Sequence, residues 1–435
     1  MEKNKMIAIV IVAILVVAAV AAAVVVMNGN GDNKDKKSTA TGRLLVYGNA
    51  DNDDYLDKDD LAFIKKIAAG EVSWNKNLHP LADTNCDGYV DQKDVTALQN
   101  LLDKKSEKMY YINAYGNNMY VNYPNTGTIG INFYAGFTVA QILGIYDRVT
   151  ACLDAYKTYS EERFPGVSTF YGIGDKQNCD VEKVLASGVS IIIGYQATTL
   201  YDDLRATGKP IDFINLQYEG STIGGSDPIS SVLTLSVLLG CEDRGYEFIK
   251  RYDTTIDEIN KTVSGLKKET FVVAYNPTSN VEVALDTVGA NGNSYGDAWG
   301  VARLPMYDAG TGLSTNGYMK IAMEDLILLD PDYIFISMNP RDTEGKSIAE
   351  IQKVFEQKVE LFKGTRAYRE GNMYGICYSV MTTPLSFASA PLIANTLYPD
   401  LFSEQRAWEI IQNVYKDFVV MSADKTNGEL NVYSL

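Results

Sequence analysis

Residues 83–94 read DTNCDGYVDQKD and place an oxygen-bearing side chain first, third, fifth, ninth and twelfth: Asp83, Asn85, Asp87, Asp91 and Asp94. Gly88 stands sixth, where a loop wound around one ion turns sharply, and Tyr89 stands seventh, where a main-chain carbonyl completes the set. Calcium is a hard cation that takes about six to eight oxygens, and this spacing wraps them around one ion. A second copy, NADNDDYLDKDD, begins 34 residues earlier, with Asn49, Asp51, Asp53, Asp57 and Asp60 at the same positions and Tyr55 seventh. Its sixth residue is Asp54, and Asp tolerates a left-handed backbone better than most residues. Each loop leads into a short helical pattern: Leu61, Phe63, Ile64 and Ile67 after the first, Val95, Leu98, Leu101 and Leu102 after the second. Two such units bury these faces on one another, which neither can do alone. Residues 43–105 are therefore expected to form a small all-α domain with two Ca2+ sites.

Composition limits the rest. With 46% hydrophobic and 22% charged residues, most of the 435-residue chain should be globular. The net charge of −16 argues against nucleic acid as a partner. The five cysteines form no C-x-x-C pair, so neither a zinc ribbon nor a disulfide framework follows. The single histidine, His79, lies between the two loops, which excludes a His-based catalytic triad or a multi-His metal site elsewhere.

Met6–Met27 is an uncharged run of 22 residues, long enough at ~1.5 Å per residue to span a bilayer core. Its length favours an uncleaved anchor over a cleaved signal. Residues 1–28 are read as that anchor or signal, 29–42 as a polar disordered linker, and 106–435 as one large two-lobed domain. Structural calcium sites belong outside the cytoplasm, so the chain is placed at the cell membrane with its domains outside. Asp103–Lys108 reads as a charged hinge between the loop–helix pair and the large domain.

Within 106–435, Tyr110–Pro124 alternates around Gly116 as a hairpin. Strands at Ile129–Phe133, Val189–Ile193 and Ile211–Leu216 interleave with helices at Phe137–Leu143 and Val181–Ala186, the pattern of a parallel α/β lobe. Asp227–Leu239 and Glu242–Val263 are long helices. The second carries apolar or aromatic residues at 246, 249, 252, 256, 259 and 263 and is long enough to join two lobes. A second α/β unit follows, with strands Thr270–Tyr275, Tyr333–Ser337 and Met373–Ile376 and closing helices Phe387–Leu397 and Glu404–Phe418. Residues after Val420 read as a frayed tail. The fold class is α/β: two Rossmann-like lobes, N-lobe about 109–240 and C-lobe about 270–420, joined by one long helix at about 242–264, with the small calcium-loop domain and an N-terminal transmembrane helix.

The duplicated loop–helix resembles a type I dockerin, which implies a cohesin-bearing partner contacting the end of each loop and the helix after it. A second resemblance rests on a repeated arrangement. Asp180–Ile193 (DVEKVLASGVSIII) and Met323–Ile336 (MEDLILLDPDYIFI) each give a Glu, a short helix, a turn and a buried strand. Together with NAYGNNMYVNYP and FKGTRAYREGNMYGI, this is similar to the class III solute-binding proteins of ABC importers, which carry ferric siderophores, haem or cobalamin. The resemblance implies that Glu182 and Glu324 meet arginines on a permease. It also implies a cleft at the strand C-termini of both lobes. Candidates there are Tyr134, Tyr195 and Tyr218 in the first lobe and Trp299, Arg303, Arg341 and Tyr378 in the second. Aromatic walls and arginine forks suit a metal chelate better than a bare ion. Phe133–Thr138 (FYAGFT) opens a helix that can offer N–H groups to an anion, although an ordinary strand–helix turn is the preferred reading.

The chain is thus read as a non-enzymatic, membrane-anchored solute-binding protein that delivers a chelate to its permease. The alternative is a cell-surface scaffold assembled through the dockerin-like module, without a transport role. With the module as a mere tether, removing the Asp83 and Asp87 carboxylates should unfold 43–105 and leave ligand binding by 109–435 unchanged.

Overall fold

The computed structural model describes residues 43–159, 161–175, 178–194, 198–216, 228–267, 269–287, 306–314, 317–378 and 383–435. Met6–Met27 and the linker after it lie outside these residues. Among the described residues no helix is long and apolar enough to cross a membrane.

Helices α1 (Lys58–Ala68) and α2 (Gln92–Leu102) each start one residue past the ninth loop position. Asp57 and Asp91 are their N-caps, and Asp60 and Asp94 return to the cap N–H, closing a capping box at each helix. The two helices bury Leu61, Ile64 and Ile67 with Val95 and Leu98 around Ala50 and Ala82. Leu101, expected on the same face, instead joins the main core with Leu44, Val46 and Tyr111.

The expected hinge at Asp103–Lys108 is a tight turn. Lys104 adopts a left-handed φ of 53°. The N–H groups of Lys104 and Lys105 donate to Leu101 O and Asn100 O at 3.0 and 2.9 Å, and strand β1 (Glu107–Ile112) starts two residues later. β1 pairs antiparallel with β2 (Asn118–Tyr123). It also takes Leu44–Tyr47 as a neighbour: Val46 bridges Tyr111, Tyr47 N donates to Tyr110 O (2.9 Å), and Ile112 N donates to Leu45 O (3.0 Å).

The first lobe runs β3 (Ile129–Ile131), α3 (Ala135–Ile142), β4 (Val149–Cys152), β5 (Tyr171–Gly172), a short hairpin β6 (Gly174–Asp175) and β7 (Asn178–Cys179), α4 (Val181–Ser187), β8 (Ile191–Gly194), α5 (Thr198–Ala206) and β9 (Asp212–Asn215). Its five-stranded sheet has the order β5-β4-β3-β8-β9. Every pairing is parallel, and the central strands β3 and β8 are continuous apolar runs buried on both faces. The β1–β2 hairpin is fastened to its edge. Tyr111 Oη donates to Phe213 O, and Asp212 accepts from Asn122 and Asn125.

Helix α6 (Pro228–Leu238), wholly buried, packs on α7 (Glu242–Thr262). Their close approach depends on Gly245, where a Cβ would lie 2.0 Å from Ser236 Oγ. Phe248 of α7 stands edge-on to Phe387 and Phe418 at 5.6 and 5.4 Å. One core therefore runs from the first lobe through α7 into the closing helices α12 (Ser386–Leu397) and α13 (Glu404–Phe418).

The second lobe contains β10 (Glu269–Tyr275), β11 (Glu282–Asp286), β12 (Met306–Asp308), β13 (Tyr318–Ala322), α8 (Met323–Leu329), β14 (Tyr333–Met338), α9 (Pro340–Thr343), α10 (Ile348–Val359), α11 (Arg366–Glu370) and β15 (Met373–Cys377) ahead of the closing helices. β10, β14 and β15 are parallel, while β11 and β13 add antiparallel strands at one edge. The two-residue period sorts the side chains. Phe271, Val273 and Phe335 face the shared core, and Val272, Ala274, Ile334 and Ile336 face a second core beneath α8 and α10.

The tail expected to fray beyond Val420 is ordered. Gly428–Leu430 forms a 3₁₀ turn, and β16 (Tyr433–Ser434) pairs antiparallel with β15, burying Tyr433, whose Oη donates to Gly428 O. Apolar Leu430 and Tyr433 cover surface that the sheet edge would otherwise expose.

Phe248→Ala should lower stability by about 3–5 kcal/mol, the usual cost of emptying a buried phenylalanine site. A urea titration followed by far-UV circular dichroism measures it, and no change would mean that α7 does not carry the shared core.

Candidate functional site

The C-terminal ends of the parallel strands in both lobes carry aromatic rings and guanidinium groups. After β3, Tyr134 caps α3, its ring edge-on to Tyr159 (5.4 Å) and Phe164 (6.0 Å), with the Arg163 guanidinium 5.4 Å from its centre. Burial pushes the Tyr134 phenol well up. In the second lobe, Tyr275 at the end of β10 meets Tyr318 (6.0 Å) and Tyr378 (5.8 Å). Arg341 lies exposed on α9, immediately after β14. Of the seven cleft candidates, Tyr134, Arg341 and Tyr378 thus sit at strand ends. Tyr195, Tyr218, Trp299 and Arg303 fall outside the described residues.

Arg163 and Glu429 were not singled out from the sequence, because 266 residues separate them and neither belongs to a local pattern. Arg163 follows β4 and donates to Glu429 Oε2 at 3.3 Å, and Thr343 Oγ1 of α9 donates to Glu429 Oε1 at 3.3 Å. One carboxylate on the C-terminal segment therefore ties the strand-end loops of the two lobes together. At the FYAGFT helix start, Gly136 N and Phe137 N donate back to Phe133 O and Tyr134 O. This is an ordinary strand–helix turn, with those two donors already used.

The two repeated Glu–helix–strand units are built alike. Each helix has seven residues, each glutamate is exposed in the first turn, and each helix ends on a left-handed residue, Gly188 (φ 72°) or Asp330 (φ 48°), before a buried strand. Asp332 fixes the second turn by accepting from Thr270 N (2.8 Å) and Thr270 Oγ1 (2.9 Å). Arg366 bonds both Asp330 and Asp332.

Residues 133–377 match the family model described as periplasmic binding protein. The chain belongs to the periplasmic binding protein family. Solved structures repeat the fold at low identity. The TroA-like periplasmic binding protein FepB of Veillonella parvula is 14% identical over 72% of this chain and 97% of its own, with a TM-score of 0.57. CeuE of Helicobacter pylori, solved with Ni(II) bound, is 15% identical over 74% and 98%, with a TM-score of 0.51. MolA of Haemophilus influenzae, solved with molybdate, is 11% identical over 72% and 99%, with a TM-score of 0.54. No curated protein matches the sequence.

In this periplasmic binding protein the loop–helix pair lies ahead of the matched residues. Its two loops repeat one hydrogen-bond scheme. The third-position side chain accepts from the fifth N–H (Asp51 from Asp53, Asn85 from Asp87), the fifth from the seventh (Asp53 from Tyr55, Asp87 from Tyr89), and the ninth from the eleventh (Asp57 from Asp59, Asp91 from Lys93). The twelfth residue accepts from the third and ninth: Asp60 from Asp51 and Asp57, Asp94 from Asn85 and Asp91. The left-handed residues are Asn52 (57°) and Cys86 (59°), fourth in each loop, together with Gly88 (94°). Asp54 does not adopt the left-handed backbone expected of it. Its carboxylate is held by Arg43, and loop 1 turns without a glycine.

Among the described residues, no three His, Cys, Asp or Glu side chains converge as a metal cluster, since the loop carboxylates are turned onto backbone N–H groups. The donor set nevertheless fits calcium. Asn49, first in loop 1, is fully buried. Its Nδ2 donates to Leu44 O and Asp53 O, while its Oδ1 has no partner. Burial pushes Asp60 up to about 7, with repulsion from Asp51 adding to it, and burial also raises Asp83 and Asp94. A divalent cation would relieve both the orphaned oxygen and the desolvated carboxylates.

Glu429→Ala would leave the Arg163 guanidinium without its carboxylate in a mostly buried setting. The expected loss is about 3 kcal/mol, partly recovered in the apolar double variant Arg163→Met/Glu429→Leu. Thermal unfolding of the three proteins checks this, and an additive double variant would contradict it.

Proposed function

We propose that this chain is the extracytoplasmic, membrane-anchored solute-binding component of an ABC importer, capturing a metal chelate of the ferric siderophore, haem or cobalamin kind and handing it to a permease. The observation that carries the reading is the family match over both lobes, combined with aromatic rings and guanidinium groups at their strand ends. Flat rings accept a macrocycle or aryl ligand, and arginine forks accept its carboxylates or catecholates. CeuE and MolA, which share the fold, were solved with Ni(II) and with molybdate bound. With a single histidine in the chain, a pre-chelated metal suits the cleft better than direct imidazole capture.

Glu182 and Glu324 are the docking pair of this reading, one exposed carboxylate per lobe. Two charges a lobe-width apart set the register of a large partner. Loops 49–60 and 83–94 would hold two Ca2+ ions through Asn49, Asp51, Asp53, Asp57, Asp60 and the Tyr55 carbonyl, and through Asp83, Asn85, Asp87, Asp91, Asp94 and the Tyr89 carbonyl. At the loop ends, Lys58, Asp59, Gln92 and Lys93 are exposed, which leaves that face open to a cohesin-type partner.

Quenching of tyrosine and tryptophan fluorescence, titrated with a ferric catecholate siderophore, haemin and cobalamin, should give at least one Kd tighter than about 0.1 mM. Failure of all three would sink the chelate reading. Glu182→Ala/Glu324→Ala should leave that Kd within about twofold and reduce permease-dependent uptake about tenfold or more. A weakened Kd with normal uptake would assign these glutamates to the cleft instead.

A further inference from the structure

We infer that the loop–helix pair is an intramolecular brace on the interlobe helix, and that calcium in its loops tightens the N-terminal half of α7 and the β1–β2 hairpin. The inference rests on the calcium reading above and goes beyond it by naming what the metal acts on.

Three consecutive residues of loop 1 lead to α7, Tyr55 and Leu56 directly and Asp54 through Arg43. Asp54, sixth in the loop, shares the Arg43 guanidinium with Asp253 of α7, which receives Arg43 Nη1 at 2.7 Å and Nη2 at 2.9 Å. The Tyr55 ring lies 4.6 Å from the ring of Tyr246. Leu56 N donates to Tyr246 Oη at 3.4 Å. Loop 2 reaches the hairpin: Asn118 Nδ2 donates to Cys86 Sγ at 3.2 Å, and its Oδ1 accepts from Tyr47 Oη at 2.9 Å. The exit of α2 is pinned by Lys104 to Glu242 at 2.9 Å, in the first turn of α7.

The entry strand completes the brace. Leu45 N donates to Thr234 Oγ1 of α6 at 3.1 Å, and Val46 bridges Tyr111. Asn49 joins this strand to the metal site, because its amide nitrogen holds Leu44 O while its oxygen is the first ligand position of loop 1. A cation there fixes Asn49, and with it Leu44 and the stretch from Asp54 to Leu56. Without one, Asn49 Oδ1 stays buried with no partner, and the residues that hold Tyr246 and Arg43 lose that anchor.

The test is hydrogen–deuterium exchange of the full chain in 1 mM CaCl2 and in excess chelator. Calcium should slow exchange about tenfold or more in residues 242–256 and 107–123 as well as in the loops, the size of an ordinary coupling between sites. Tyr246→Ala/Asp253→Ala, with both residues outside the loops and the cleft, should bind calcium normally by calorimetry and lose the protection at 242–256. Asp253→Ala alone serves if the double variant does not fold. Calcium binding with protection confined to 43–105 overturns the brace. Absence of calcium heat up to about 1 mM metal overturns the calcium reading itself and the brace with it.

Discussion

The packing of helix α7 against α6 sets the spacing from which the rest of the molecule is measured. Gly245 lets the two backbones approach to where a single Cβ would strike Ser236. From that contact Phe248 reaches the rings of Phe387 and Phe418, so the closing helices of the second lobe lie on the same rod as the helices of the first. Ion pairs fix the rotation of the rod: Arg251 with Asp417, and Arg406 with Glu258. A helix of 21 residues is about 30 Å long, so its two ends can serve different neighbours without bending. The strand ends of both lobes are positioned by elements that share a core with α7.

Patterns with a strong period were legible in the sequence. The two acidic loops, the short helices after them, the long helix and the buried strands around Ile192 and Phe335 all lie where side-chain spacing put them. Weakly patterned pieces were not. β11 and β13 sit at a sheet edge and mix charged with apolar residues (EVALD, YMKIA), so alternation was diluted. β16 is two residues long and gains its stability from β15, a partner distant in sequence. Asp54 was read for its backbone tolerance, and its structural role is instead to accept Arg43. Leu101 was assigned to the wrong core because a helix face shows that a residue is buried, not against what.

The strand ends themselves were legible, and three of the candidate residues lie at them. Tyr134, Arg341 and Tyr378 each follow a strand, as the alternation of strands and helices placed them. Arg163 and Glu429 become a pair only when the C-terminal segment folds back across the second lobe. That segment looked expendable because short polar stretches carry no period of their own. Its carboxylate nonetheless joins α9 to the loop after β4.

The strand Leu44–Tyr47 also bears on where one module ends and the next begins. Along the chain the border between the loop–helix pair and the solute-binding lobes falls near Lys105, but in space it does not exist there. A polypeptide starting at Ser106 would present β1 with a bare edge and an uncovered Tyr111, an invitation to pair with another chain. The smallest portable unit therefore begins no later than Arg43. Any exchange of parts that built such a chain would have to carry the entry strand with the lobes it completes, and the loop–helix pair would come along as a passenger on the same stretch of sequence.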